Sequence, residues 1–406
     1  MAPSAIIDTP VAPEDVFKPS HHATAPVQEP SPNVNFDPAT HLDYQAPSRI
    51  LTMKDLGHEP TALSPVATTD PFPFLSHEGV LQHRRSLFSK PVVDNCLHQT
   101  RTTSCQLRGM APRYAPFIHQ FWHSPEVLKI VSDIAGVELI PALDYEICHT
   151  NIQVPLAGKD DVRNTPVEPP AATEEMIQAL KEQQAQEKKE VEGVDKYDDS
   201  KNIIEWHKDS HPWVCVVMLS DARYMEGGET ELMKGDGTTV KVRAPQMVSF
   251  HIAPPCSLDV LSDSMQGHAV LLQGRYILHT AAPVLNMPER ITIVTSFRPK
   301  NPLLPDETTN ANTRDKSYHT ELFYQWTTYR LDVMAQRARL AAEALRERYE
   351  KNIQESDPEG KGGLCRVKTV DVEEVKQWSD EMIKYIQATL HEMRPMEDWE
   401  LNPLGQ

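Results

Sequence analysis

Residues 201–298 contain seven short runs rich in β-branched and aromatic residues, and this stretch constrains the fold more than any other. The runs are NIIEW, WVCVVML, ETELMK, TTVKV, MVSFHI, HAVLLQG and ITIVTSF. Between them, EGGE, KGDG and APPCS put Gly, Pro, Asp and Ser where the chain must reverse. Short strands with frequent turns indicate an antiparallel sandwich or barrel, because a parallel α/β sheet needs a long crossover between strands. No G-x-G-x-x-G follows a strand, so a dinucleotide-binding sheet has no support.

The flanks carry a different period. Ser76 is placed to cap a helix bearing Val80, Leu81, Leu87 and Phe88. A second helix is marked by Ser124 as cap, Pro125 in its first turn, Val127, Leu128, Val131 and Ile134 on one face, and Gly136 at its end. Residues 137–155 are rich in β-branched and aromatic residues and read as strand up to the proline. Residues 156–200 form a charged insertion in which Thr173 caps a polar helix, expected as a surface excursion between two strands of one sheet system. After residue 315, Leu322, Trp326, Tyr329, Met334, Ala338, Ala341, Leu345 and Tyr349 recur at helical spacing. DPEGKGGLC at 357–365 breaks that helix, and Val372, Val375, Met382, Ile386, Leu390 and Met393 define another. Both are expected to pack on the β core, with a dimer contact as the other use of their faces. The chain is read as a monomer or a homodimer.

Residues 1–70 are Pro-, Ala-, Thr- and His-rich without sustained periodicity, and are expected to be largely disordered, with order beginning near 71–76. A net charge of -18 excludes the Lys/Arg excess that a nucleic-acid surface needs. The six cysteines include no C-x-x-C pair, which disfavours a zinc ribbon and fits a reducing compartment. No basic start with an apolar core opens the sequence, and no apolar run approaches the roughly 20 residues of a membrane span. A cytoplasmic protein is the expectation.

The chemistry concentrates in EWHKDSHPW. His207 and Asp209 are two apart at a strand end, so imidazole and carboxylate project to one side and can reach one ion. Two histidines and one carboxylate leave metal positions open for substrate and oxygen, the donor set of non-haem Fe(II) oxygenases. Downstream come a glycine turn at GGETEL, the strand MVSFHI, His279 in GRYILHTAAPV, and Arg290 in ERITIVTSF.

This order, H-x-D followed by H and then R-x-S/T, resembles the Fe(II)/2-oxoglutarate-dependent dioxygenase family over roughly 137–300. The resemblance implies an α+β chain with a double-stranded β-helix (jelly roll) core and flanking N- and C-terminal helices. It implies Fe(II) held by His207, Asp209 and His279, and 2-oxoglutarate anchored by Arg290 with help from Thr292. Asn151, in HTNIQVP, matches a co-substrate-contacting asparagine in type, whereas Gln153 stands where the family has tyrosine. Tyr145 or His149 would supply the second contact if the strand is regular, and Tyr145, Trp213 and His211 are candidate pocket residues. The implied reaction oxidises a C–H bond of a small organic substrate with dioxygen, releasing succinate and CO2. Hydroxylation is the default outcome, with desaturation and ring formation open. Asp209 argues against halogenation, since halogenating members replace that carboxylate with a small residue. The style resembles fungal small-molecule oxygenases of secondary metabolism. The resulting division is a disordered 1–70, an oxygenase domain at 71–310 and C-terminal helices at 311–406.

Competing readings accompany several residues. His211 is the rival ligand, and Arg298 the rival anchor. Arg275 faces either pocket or solvent. Glu229 and Glu231 read as a solvated strand edge, or as a general acid/base pair. Trp206 and Trp213 wall the cavity or fill the core. His251 and His268 read as core or surface histidines, and His77 and His83 do not form a zinc motif. Two other functions stay in view: a non-catalytic β-helix binding protein, and a cupin-like metalloenzyme that does not use 2-oxoglutarate.

Overall fold

Every strand pairing among the described residues is antiparallel. The structure is a computed structural model that describes residues 34–99, 105–153, 162–180, 182, 204–222, 225–243, 247–249, 265–282, 284, 287–362 and 365–394. The chain divides into Met1–Val34 and Asn35–Gln406, and all named elements lie in the second unit. The first elements are α1 (Pro38–His41), β1 (Ile50–Thr52), β2 (Val66–Thr69), β3 (Phe72–Leu75), α2 (His77–Leu87) and α3 (Lys90–Cys96). β4 (Leu97–Gln99) and β5 (Cys105–Leu107) lead to α4 (Pro116–His123), α5 (Pro125–Ala135), β6 (Leu139–Pro141) and β7 (His149–Gln153). β8 (Ile204–His207), β9 (Trp213–Met218), β10 (Thr230–Met233), β11 (Thr239–Val242) and β12 (Met247–Ser249) follow. β13 (Met265–Leu272), β14 (His279–Ala281) and β15 (Arg290–Pro299) precede α6 (His319–Ser356) and α7 (Val372–His391).

The strands form two sheets. The larger has eleven strands along the path β1-β2-β13-β9-β15-β7-β5-β4, with β3 and β12 on β13 and β6 on β15. The smaller has four in the order β11-β10-β14-β8. Val214, Val216, Leu272 and Val294 of the large sheet meet Leu232, Val240 and Val242 of the small one in a single apolar cluster. The sheets therefore share an interlayer. Side chains alternate along a strand, so Cys215, Val217, Ile291, Ile293 and Phe297 face the other way. They are fully buried as well. Helices cover that outer face: the Trp122 ring of α4 lies 5.9 Å from Phe297. A Cβ on Gly267 would sit 2.9 Å from Val80 of α2. Burial on both faces explains why β9 reads as an unbroken apolar run.

The helix punctuation acts as read. Ser76 and Ser124 accept hydrogen bonds from the Gly79 and Val127 amides at 3.0 and 3.2 Å. Gly136 ends α5 in the left-handed conformation, φ 70°. The Thr173 hydroxyl accepts from the Met176 amide at 3.2 Å, capping a helix over 174–180.

Three expectations change. Order starts well before residue 71, since β1 and β2 join the large sheet and Ala67 is buried in the interlayer cluster. Edge pairing supplies what the composition of this segment lacks. Residues 1–33 lie outside the described residues. The segment 137–155 is not one strand: a turn of 3-10 helix at Asp144–Glu146 separates β6 from β7, and Cys148 adopts φ 59° at the junction. The charged insertion runs from the large sheet to the small one, and part of it is core: Val162, Ala172 and Ile177 are buried. Arg84 of α2 holds the carbonyls of Pro166 and Val167 at 2.7 and 2.9 Å. Residues 183–200 lie outside the described residues.

The C-terminal helices form as read. The first turns of α6 bury Leu322, Phe323, Trp326, Tyr329 and Val333 against Leu143, Tyr145 and Tyr385. The Arg330 guanidinium sits 3.4 Å above the Tyr385 ring and 3.3 Å from Asp306. Among the described residues no helix is long and apolar enough to cross a membrane.

Candidate metal centre

β8 ends at His207, and β14 begins at His279 directly opposite it. The two imidazole rings lie 4.4 Å apart. Asp209, two residues beyond β8, is drawn in by its own amide, which donates to the Gly274 carbonyl at 3.0 Å. Its carboxylate thus lies between the rings, with Oδ1 3.5 Å from His207 Nε2 and Oδ2 3.6 Å from His279 Nε2. One ligand atom from each of the three residues falls within 4.8 Å of the others. His279 Nδ1 is 2.9 Å from the Ile277 carbonyl, which fixes the proton there and leaves Nε2 a lone pair facing Asp209.

The electrostatics favour the ligand forms of these groups. Burial alone would raise the Asp209 carboxyl, but His279 and His207 beside it hold it below the ordinary carboxylate range. Burial depresses His279 more than Asp209 raises it, favouring the neutral ligand form. Asp209 Oδ2 is buried without a hydrogen-bond partner. Gly274 makes this approach possible: a Cβ there would stand 1.8 Å from that oxygen.

Arg290 and Thr292 lie across the interlayer. Directly opposed residues of an antiparallel pair share a face, and His279 opposes Leu232, which belongs to the interlayer cluster. Arg290 and Thr292 alternate with Ile291 and Ile293 and share a face with Val294, which packs on the same cluster. Both groups therefore face the space between the sheets. Arg290 opposes Gln153, and Thr292 opposes Asn151 and Met218. Asn151 Oδ1 accepts from Gln106 at 2.9 Å. Arg290 is buried with no carboxylate beside it among the described residues, and its Nε has no partner. Burial pushes its guanidinium down to about 10. A buried guanidinium without a carboxylate beside it is suited to hold an anion.

The rivals separate on geometry. His211 is buried with Nε2 unpartnered, but is not among the three convergent donors. Burial depresses its imidazole, with Glu146 and Asp209 pulling the other way. Arg298 lies 4.8 Å over the Tyr329 ring and donates to Pro299, so it is engaged toward α6. Glu231 pairs with Lys241 at 3.3 Å on the sheet surface. His77 lies 3.4 Å from Glu168, and His251 is outside the described residues.

Two pocket assignments are corrected. Tyr145 is not on β7: its hydroxyl accepts from the Tyr318 amide at 2.9 Å, and its ring belongs to the α6 cluster. The ring is buried against a helix far away in sequence, which local strand propensity does not register. Trp213 opposes Phe297 on the helix-covered face and fills core. Trp206, beside His207, is 37% exposed. Sequence reading missed Gly274, whose only trace was its place at the end of a strand run. It also missed Arg108 and Glu146, a buried ion pair near His149 and His211.

No protein-family model and no curated protein matches the chain. Among solved structures it is similar to a Pseudomonas putida prolyl-4-hydroxylase, with 13% identity over 55% of this chain and 87% of that one, at a TM-score of 0.26. It is also similar to the nickel complex of the non-heme monooxygenase ThoJ, with 11% identity over 60% and 77%, at a TM-score of 0.29.

Proposed function

We propose that this protein is a non-haem iron oxygenase that uses 2-oxoglutarate to oxidise a C–H bond of a small organic substrate with dioxygen. The carrying observation is the pairing, across one interlayer, of the His207–Asp209–His279 donor set with a buried arginine that has no carboxylate beside it among the described residues. A jelly-roll winding fits the topology: strands from β7 to β15 pass between the sheets in the sequence large, small, large, small, small, large, large, small, large.

The donor set fits iron, being two imidazoles and one carboxylate with an unmatched buried oxygen. Iron there would couple oxygen activation to oxidative decarboxylation of 2-oxoglutarate to succinate and CO2, and to oxidation of the substrate C–H bond. Arg290 clamps the distal carboxylate with its planar fork, and Thr292 on the same face donates a hydroxyl hydrogen bond. Asn151, opposite Thr292, orients the same ligand, held by Gln106. Met218 and Val294 line the layer and keep water from the arginine–carboxylate pair, which strengthens it. His211, buried nearby and neutral when its pKa is depressed, offers a hydrogen bond to substrate.

Purified protein given Fe(II), 2-oxoglutarate and air is expected to form succinate in the absence of substrate, slowly, as an uncoupled turnover. No succinate above an Asp209→Ala control, in protein shown to hold iron, would sink the proposal.

A further inference from the structure

We propose that His119, His123 and Asp144 form a second site, for a transition divalent cation with zinc foremost, which ties α4 to the turn before β7. His119 and His123 are four apart on α4 and so share one helical face, with rings 4.1 Å apart and tilted by 31°. Asp144 comes from the 3-10 turn at Asp144–Glu146. Its Oδ1 lies 3.6 Å from His119 Nε2 and 3.4 Å from His123 Nε2. Zinc bonds of about 2.0–2.1 Å at tetrahedral angles put neighbouring donor atoms about 3.3 Å apart. Both carboxylate–imidazole distances are within tenths of an ångström of that spacing, and one donor atom from each of the three residues lies within 4.8 Å of the others.

The hydrogen bonding orients His123 toward a shared ion. His123 Nδ1 lies 3.0 Å from the His119 carbonyl, and a carbonyl only accepts, so Nδ1 carries the proton. Nε2 is then the ring nitrogen left to ligate, and it faces the Asp144 carboxylate at 3.4 Å. The carbonyl contact is the outer bond that orients a ligating imidazole. The side chains are 30–37% exposed, leaving an ion access and water for the fourth position. Two imidazoles select zinc, copper or nickel over magnesium and calcium.

Occupancy would stiffen more than α4. The turn that carries Asp144 also holds Tyr145, packed against α6, and Glu146, paired with buried Arg108. An ion binding only the folded state stabilises it by mass action.

The test is zinc titration of the full chain after chelator treatment, followed by calorimetry and by metal analysis after gel filtration. Wild type should bind one equivalent more than the His119→Ala/His123→Ala variant, and His207→Ala should retain that equivalent. Zinc should raise the melting temperature of His207→Ala and leave that of His119→Ala/His123→Ala/His207→Ala unmoved. Asp144→Asn, which keeps shape, should weaken the same equivalent at least tenfold. Equal zinc stoichiometry in wild type and the double variant, with equal metal-free melting temperatures, would overturn the proposal. So would saturation of the site by magnesium in preference to zinc.

Discussion

Gly274 and Asp209 meet so closely that the carboxylate occupies the space a side chain would take: a Cβ on Gly274 would lie 1.8 Å from Asp209 Oδ2 and 2.7 Å from its Cγ. The same two residues are joined by the Asp209 amide and the Gly274 carbonyl at 3.0 Å. Gly274→Ala must therefore displace the carboxylate from between His207 and His279. Metal affinity is expected to fall roughly 10–100-fold, the usual effect of disturbing a group that orients a ligand. Metal titration of the folded variant checks this, and wild-type affinity would show that the carboxylate does not hold the ion.

Arg290→Gln should act in opposite directions on binding and on stability. Loss of a charge-assisted pair of hydrogen bonds should weaken 2-oxoglutarate binding by about 10–100-fold. Without ligand, the buried unpaired guanidinium is a cost, so the variant should melt at or above the wild-type temperature. Arg290→Lys keeps the charge but loses the fork and should fall between the two. Arg298→Gln, at the Tyr329 side, should leave the co-substrate affinity unchanged.

Glu289, the neighbour of Arg290, anchors a different part of the molecule. It accepts from Arg84 at 2.6 Å and from the Ser220 hydroxyl at 3.0 Å, and the ion pair is fully buried. Glu289→Ala leaves the Arg84 charge uncompensated, and about 3–5 kcal/mol of stability should be lost in urea unfolding. A loss below about 1 kcal/mol would mean that Arg84 finds enough in the Pro166, Val167 and Leu219 carbonyls.

His83 gives a pH signature. It is buried edge-on to the Phe117 and Phe121 rings, with Nδ1 2.8 Å from the Gly79 carbonyl. Burial lowers its pKa from 6.5 to about 4. The unfolded chain takes up this proton near 6.5 and the folded one only near 4, so acidification across that window favours unfolding. Above the window and below it the contribution is flat. Stability should fall with pH by up to about 1.4 kcal/mol per pH unit from this group, and His83→Gln should remove that part of the slope. An unchanged slope would place the proton uptake elsewhere.

The sequence made some of this legible for local reasons. Ser124, Pro125 and Gly136 act within one helix, and His207 and Asp209 within one strand end, so spacing sufficed. Tyr145 escapes a local reading because its burial depends on α6, about 180 residues on. The strands before residue 71 were missed because ILT and VATT gain stability from the sheet they join, and composition alone hides that partner. Trp213 lies in a run buried on both faces, where alternation gives no inward side. The His119 and His123 spacing was visible, but Asp144 reaches it only through the tertiary fold, as do the contacts of Gly274 with Asp209 and of Glu289 with Arg84.

Whether iron and 2-oxoglutarate meet between His207, Asp209, His279 and Arg290 is decided by anaerobic absorption spectroscopy. Full-length protein with Fe(II) and 2-oxoglutarate should show a visible metal-to-ligand charge-transfer band. The band should be lost in His207→Ala and Asp209→Ala, persist in His211→Ala, and need more 2-oxoglutarate in Arg290→Gln. Iron-replete wild-type protein without the band at saturating 2-oxoglutarate, or a band that survives in His207→Ala, would contradict that arrangement.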